Sequence, residues 1–157
     1  MADIVTYSPS SVTLVIDDFQ IVGWDSISII KTSPSFITVP GIRGKHTRVR
    51  NPDKSCTIQF ELIQTSSAND ILSAIHSMDI EMGTGKLSVM LKDSSGTSVF
   101  SSSDAYITNF PDATFSGQFE TRTWSIFCQS VRDFKVGGNT RPKTVLDSLF
   151  DSVSSIF

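Results

Sequence analysis

The chain has 157 residues, 39% of them hydrophobic, which indicates one folded domain (residues 1–157) and excludes a disordered chain. Its net charge of −3 argues against a general nucleic-acid-binding protein, because such proteins neutralise phosphates with a basic excess. No apolar run approaches the roughly 20 residues of a membrane-spanning helix, and residues 1–4 lack signal-peptide features, so we expect a protein folded in a cytosol with no membrane partner.

The N-terminal part carries alternating apolar and polar residues, which is the pattern of β-strands. The alternation covers residues 12–16, stops at the turn-forming pair Asp17-Asp18, and resumes at residues 19–22. After a second break it continues over residues 27–30. We therefore predict a hairpin or small meander over residues 11–31.

Residues 32–54 show no sustained periodicity, except for a short strand-like run at residues 36–39. We predict a long connection of about 20 residues, and connections of that length are usually functional or disordered. This connection is strongly basic, because Asp53 is its one acidic residue. The basic residues in and just before this loop are Lys31, Arg43, Lys45, Arg48, Arg50 and Lys54.

This basic loop has two interpretations. It is either a solvated loop without a specific role, or a loop that docks on an acidic surface of another subunit or on phosphate. No Phe, Tyr or Trp lies between positions 43 and 54, which disfavours a stacking platform for single-stranded nucleic acid. Docking between protein subunits fits better, because an acidic chain with a segregated basic loop is complementary to itself. The candidate contact residues are Arg43, Lys45, Arg48, Arg50 and Lys54.

The middle of the chain contains the clearest strand and a helix. Residues 56–62 alternate strictly between apolar and polar side chains, which predicts a strand with one buried face. Apolar residues at helical spacing, with an acidic residue in the first turn, then predict an internal helix over about residues 67–79. Two further strands are predicted to begin at residues 87 and 99, on either side of a turn at residues 93–97.

The C-terminal part continues the strand pattern and ends in a predicted helix. A short strand is predicted at residues 105–108, and a long strand or bent pair over residues 115–131. Apolar residues at helical spacing then predict a C-terminal helix over about residues 143–156. The predicted fold class is mainly β, an antiparallel sandwich or barrel with one internal and one terminal helix.

The sequence offers no constellation for catalysis. His46 and His76 have no cysteine or carboxylate at metal-ligand spacing. His76 lies beside the apolar stripe of the predicted helix, and we expect a surface or half-buried packing role for it. Residues 83–88 superficially match a phosphate-binding loop, but they follow a predicted helix and precede a predicted strand, which is the reverse of the required order. In addition, Leu87 stands where the loop needs a magnesium-binding Ser or Thr. Cys56 and Cys128 lie in apolar strand patterns and are expected to be buried, reduced thiols. We expect no enzyme activity, metal or cofactor.

Several stretches together resemble the tail tube proteins of contractile-tailed bacteriophages. The resemblance spans about residues 7–131 and leaves out the predicted helical extension from about residue 143. It rests on Tyr7-Ser8-Pro9-Ser10-Ser11-Val12, Phe19-Gln20-Ile21-Val22-Gly23-Trp24, Val49-Arg50-Asn51-Pro52-Asp53-Lys54 with the strand after it, Ser67-Ala68-Asn69-Asp70-Ile71-Leu72, and Phe119-Glu120-Thr121-Arg122-Thr123-Trp124-Ser125-Ile126.

The resemblance implies a structural virion protein. Subunits of that family form hexameric rings that stack into a tube, with strands in an inner barrel, a long loop reaching the next ring and the helix on the outside. This architecture is similar to that of the inner tubes of type VI secretion systems and tail-like bacteriocins. It implies assembly in the host cytoplasm, location in the virion tail, and no cofactor. The implied partners are other copies of the chain, the tail sheath protein, the tape-measure protein, baseplate and tail terminator proteins, and DNA in the lumen without sequence-specific binding.

One alternative of a different class remains open. A monomeric β-barrel that binds a small ligand would also give alternating strands. That alternative requires a closed barrel around an apolar pocket and gives the basic loop no role.

Overall fold

The computed structural model describes residues 7–138. In this range a short 3₁₀ turn, Pro9–Ser11, precedes nine strands and one helix. The elements are β1 (Val12–Ile16), β2 (Phe19–Ile21), β3 (Trp24–Lys31), β4 (Phe36–Pro40), β5 (His46–Arg50), β6 (Cys56–Ile63), α1 (Ala68–Met82), β7 (Leu87–Asp93), β8 (Val99–Asn109) and β9 (Thr121–Lys135). The predicted C-terminal helix lies outside the described residues.

Seven strands form one sheet and two form a separate ribbon. The large sheet has the order β2-β1-β7-β8-β9-β6-β3, and each neighbouring pair is antiparallel. It curls into a half-barrel, and β4 pairs with β5 apart from it. The predicted mainly β, antiparallel fold with an internal helix is confirmed.

The core lies on the concave side of the sheet, where alternating strands place their apolar residues. In β6, the residues Cys56, Ile58, Phe60 and Leu62 are almost fully buried, as the sequence alternation predicted. β9 lies beside β6 in register, with Trp124 opposite Phe60. The core is therefore continuous between these two central strands.

Helix α1 covers one side of this core and is anchored by a buried asparagine. The Nδ2 atom of Asn69 donates to the carbonyl oxygens of Ile63 and Ser66, at 3.1 Å each. Its Oδ1 atom accepts a hydrogen bond of 3.0 Å from the indole Nε1 of Trp124. Burial of this polar group is tolerated because its donors and its acceptor are satisfied. The helix is three residues longer than predicted at its C-terminal end and stops at Gly83, whose φ of 69° suits a glycine.

Two sequence predictions need correction. The predicted meander over residues 11–31 is half right, because β1 and β2 form a hairpin but β3 crosses to pair with β6 at the far edge. The predicted strand over residues 115–131 begins only at Thr121 and extends to Lys135. Residues 110–120 form no strand, and the rings of Phe115 and Phe119 are exposed, so their alternation does not reflect burial in a sheet.

Candidate assembly surface

The basic segment 32–54 is a β-hairpin, and we call it the arm. β4 and β5 pair from Phe36 opposite Arg50 to Pro40 opposite His46. The predicted short strand at residues 36–39 is confirmed, but the prediction of an otherwise irregular connection is wrong. The second strand was missed because Val49 is its one apolar residue, so it shows no apolar alternation.

The two faces of the arm differ in chemistry. Because side chains alternate along a strand, His46, Arg48 and Arg50 share one face with Phe36 of the facing strand. The guanidinium carbon of Arg48 lies 4.2 Å from the centre of the Phe36 ring. The opposite face is apolar, with Ile37 and Val39 on β4 and Val49 on β5. The arm thus presents one cationic face and one aliphatic face.

Neither face is covered by the rest of the described chain. Every residue from position 34 to position 50 is exposed. Ile37, Val39 and Val49 each leave nearly half of their surface in solvent, and Ile42 at the tip is fully exposed. An isolated two-stranded hairpin is at best marginally stable in water. Exposed aliphatic side chains on such a ribbon mark a surface that a partner would bury.

The predicted contact residues occupy three parts of the arm. Arg48 and Arg50 lie side by side on β5, whereas Arg43 and Lys45 lie in or beside the turn at the tip. Lys54 lies at the base, where it lines a shallow depression. Within residues 7–138 the one ion pair joins Lys86 to Asp104 at 2.6 Å, so none of these five cations has a carboxylate partner there.

The base of the arm is held by a polar network that the sequence did not reveal. Asn51 Nδ2 donates to Ser33 Oγ at 2.9 Å and to the Pro34 carbonyl at 3.0 Å. Asp53 Oδ1 accepts from the backbone N–H of Ser55 at 3.0 Å, and Asp53 Oδ2 accepts from Ser33 Oγ at 3.1 Å. The hydrogen bonds from Ser55 and Ser33, helped by the charge of Lys31, lower the pKa of Asp53. This network joins the two ends of the arm at its base.

Strand β3 forms a long open edge of the sheet. It has eight residues, and within the described part of the chain it pairs on one side, with β6. Charged residues and prolines are the usual devices against edge pairing; β3 has no proline, and its two charges, Asp25 and Lys31, lie near its ends, so residues 26–30 are uncharged. Ile30 also leaves about half of its surface exposed, at 54%. This edge is suited to pair with a strand of another subunit.

Helix α1 also carries exposed apolar side chains near its C-terminal end. Met78 and Met82 lie one turn apart and are 51% and 69% exposed, and Ile80 is 72% exposed. Methionine side chains are flexible and suit surfaces that adapt to a partner.

The described residues contain no arrangement for catalysis. No group of three potential metal ligands occurs among residues 7–138. His76 stacks on Phe110, with 5.4 Å between ring centres, which confirms the predicted packing role. The thiols of Cys56 and Cys128 are free and buried, as predicted, and burial raises the pKa of Cys128 to about 11. In the part of the chain that is described, no helix is long and apolar enough to cross a membrane.

Residues 83–86 form the turn between α1 and β7, and residues 87–88 begin β7, so residues 83–88 are not a phosphate-binding loop. The order of elements is helix, turn and strand, the reverse of what phosphate binding requires. Lys86 is engaged with Asp104.

Comparison with known proteins identifies the family. No family model matches this sequence. However, structural protein ORF10 of Pseudomonas phage KPP10 is 33% identical over 147 residues, which cover 87% of this chain and 84% of the phage protein. The chain belongs to the family of this phage structural protein.

Solved structures show that this chain has a fold found in contractile injection systems. A chain of the sheath/tube terminator of the extracellular contractile injection system PVC has a TM-score of 0.61 at 15% identity, over 83% of this chain and 98% of that chain. A chain of the PVC sheath-tube complex gives 0.56 at 15% identity, over 81% and 97%. The tube-terminating cap of the anti-feeding prophage gives 0.55 at 15% identity, over 84% and 93%. The predicted resemblance to tail tube proteins of contractile systems is confirmed.

Proposed function

We propose that this phage structural protein polymerises as stacked hexameric rings into the inner tube of a contractile tail, through which DNA passes to the host. Kinship with a phage structural protein supports a non-enzymatic role in the virion tail. The fold shared with chains of sheath-tube and tube-terminator assemblies supports a tail location. Assembly takes place in the host cytoplasm and requires no cofactor.

The observation that carries this proposal is the exposed, two-faced arm. A monomer gains nothing from an uncovered hairpin with an aliphatic face and unpaired cations. In a stack, the arm reaches the adjacent ring, where its aliphatic face is buried and Arg43, Lys45, Arg48 and Arg50 meet acidic side chains. Lys54 contributes at the base, nearer to the subunit's own sheet.

The open edge of β3 supplies the contact within a ring. Pairing of this edge with a strand of the neighbouring subunit satisfies its free backbone groups and extends the sheet around the ring. Six repeats of the curled sheet then close into a continuous inner barrel. The lumen holds the tape-measure protein during assembly and DNA afterwards, without sequence-specific contacts.

The outer side of α1 contacts the tail sheath protein or a neighbouring subunit. Its exposed methionines, one turn apart, provide adaptable apolar contacts, and Ile80 is exposed on a different face of the helix. Baseplate and tail terminator proteins cap the two ends of the tube, where the ring surfaces have no further copy to bind.

The size of the purified protein tests this proposal against the alternative of a monomeric, ligand-binding barrel. Assembly predicts rings or tubes in size-exclusion chromatography with light scattering, at increasing concentration and with a tail initiator added. A compact 17.2 kDa species under every one of these conditions would refute assembly. In the described residues, β2 and β3 lie at the two edges of the sheet and do not pair with each other. A sheet with two free edges favours assembly over a closed barrel.

Amide hydrogen exchange should show that residues 32–54 become protected only on assembly. Among residues 7–138 of the free subunit, β4 and β5 pair only with each other, so their hydrogen bonds open readily and exchange is fast. In the tube a neighbouring ring covers them and exchange slows. Strand β6, which is central and buried, serves as the internal control because it is protected in both states. Equal exchange of the arm in subunits and tubes would contradict its contact role.

A further inference from the structure

An apolar groove opens on the concave side of the half-barrel, away from helix α1. It has a volume of about 580 Å³ and lies between β3 on one wall and β1, β7 and β8 on the other. Its apolar lining includes Val12, Trp24, Ile27, Ile29, Leu91 and Phe100. Val12, Trp24, Ile27 and Ile29 pack on the core but remain partly exposed. Incomplete burial of the core is thus concentrated at this groove.

The described chain ends at the mouth of the same groove. Phe134, Lys135 and Val136 line it as β9 ends. The backbone N–H of Gly137 donates to Ser98 Oγ at 2.9 Å, and Ser98 Oγ donates to the Gly137 carbonyl at 3.2 Å. A side chain at Gly137 would overlap Thr97, so a glycine allows this close approach. The following residues therefore start beside the groove.

Residues 139–157 supply a matching apolar stripe in their sequence. Six apolar side chains recur at helical spacing, with serine and aspartate between them: Val145, Leu146, Leu149, Phe150, Val153 and Ile156. A helix over residues 143–156 would be about 21 Å long, and the four residues before it could span up to about 14 Å. The segment is long enough to lie along the groove of its own chain.

We propose that residues 143–157 form an amphipathic helix that docks its apolar stripe in this groove of the same subunit. The helix covers Trp24, Ile27 and Ile29 and completes the open side of the half-barrel, opposite α1. Residues 1–6 are a poorer occupant because they contain only three large apolar side chains: Met1, Ile4 and Val5. This proposal concerns the fold of the subunit and does not depend on tube assembly.

Disulfide trapping in the full-length protein tests the docking directly. In a background in which the native Cys56 and Cys128 are replaced by alanine, the variant Ile29→Cys/Leu149→Cys places one thiol in the groove and one at the centre of the stripe. Dilute, unassembled protein should form an intrachain disulfide, seen as a faster-migrating monomer band without reductant. The matched control Ile29→Cys/Asp151→Cys moves the second thiol two residues along, to the opposite side of the stripe, and should cross-link much less. Equal cross-linking of both variants, or an interchain disulfide instead, would overturn the proposal.

A fluorescence measurement keeps the test independent of the groove substitution. In full-length Leu149→Asp, the helix should leave the groove, so Trp24 emission shifts to longer wavelength and becomes more accessible to acrylamide. Trp124 is almost fully buried, so its emission is protected from acrylamide and gives a constant background signal. The control Ser155→Asp adds the same charge on the polar side and should leave Trp24 unchanged. Trp24 accessibility that is identical in wild type and both variants would show that another segment, or none, covers the groove.

Discussion

Reversing the charge of Arg48 and Arg50 to glutamate should impair tube elongation strongly and leave the subunit folded. Both side chains lie on the exposed cationic face of the arm, far from the buried core. Each exposed ion pair that they make with the next ring is worth roughly 0.2–1 kcal/mol. Losing two such pairs per subunit should raise the critical concentration for elongation roughly 2- to 30-fold. Light scattering measures that concentration, and circular dichroism checks the fold.

A charge-conserving variant separates charge from shape. Arg48→Lys/Arg50→Lys keeps both positive charges but loses the flat guanidinium group that stacks on Phe36. It should elongate close to the wild-type rate. Added salt should slow the wild type and the lysine variant, since it screens exposed charges, and affect the glutamate variant less. Normal elongation of the glutamate variant would mean that the arm's charge is merely solvated.

Replacing Trp124 by alanine should cost about 3–5 kcal/mol of the free energy of unfolding. The indole is 1% exposed and lies opposite Phe60 in the sheet. Its edge meets the Phe110 ring, with 5.3 Å between ring centres, and its Nε1 donates to the Asn69 side chain. Removal leaves a cavity between α1 and β9 and an Asn69 oxygen without its donor. Urea denaturation of the unassembled subunit measures the loss.

The other tryptophan provides the control. Trp24, the first residue of β3, is only partly buried where it lines the groove, so Trp24→Ala should cost clearly less than Trp124→Ala. Trp124→Phe keeps most of the volume but removes the donor, and should cost about 1–3 kcal/mol through the unsatisfied oxygen. A loss below about 1 kcal/mol for Trp124→Ala would show that the indole does not anchor the helix to the sheet.

Elements whose pattern reflects one buried face were predictable from the sequence. β6 and α1 were found because each has a long, clean period that matches its single buried side. The pairing of β3 with β6 was not predictable, because an alternating strand shows which face is buried but not which strand lies beside it. Phe115 and Phe119 misled for a different reason, since both side chains are exposed and their alternation does not correspond to a buried face in the described chain.

The charge of the candidate surface was predictable from the sequence, but its hairpin structure was not. The cationic cluster is visible in the sequence, and the structure places Arg48 and Arg50 side by side. The aliphatic face of the arm was missed because Ile37, Val39 and Val49 belong to two short strands whose alternation emerges only when they pair. The polar network at the base of the arm joins Asn51 and Asp53 to Ser33, which lies about twenty residues earlier in the chain, and it includes a turn between Asn51 and Asp53. No local periodicity in the sequence reveals such a link.

Cryo-electron microscopy of the purified wild-type protein tests the central claim most directly. The account predicts sixfold rings stacked into a tube, with the β3 edge paired to a neighbouring subunit and the arm, residues 32–54, buried against the adjacent ring. Particles that are single subunits at every concentration, or tubes in which the arm lies free in solvent, would contradict it.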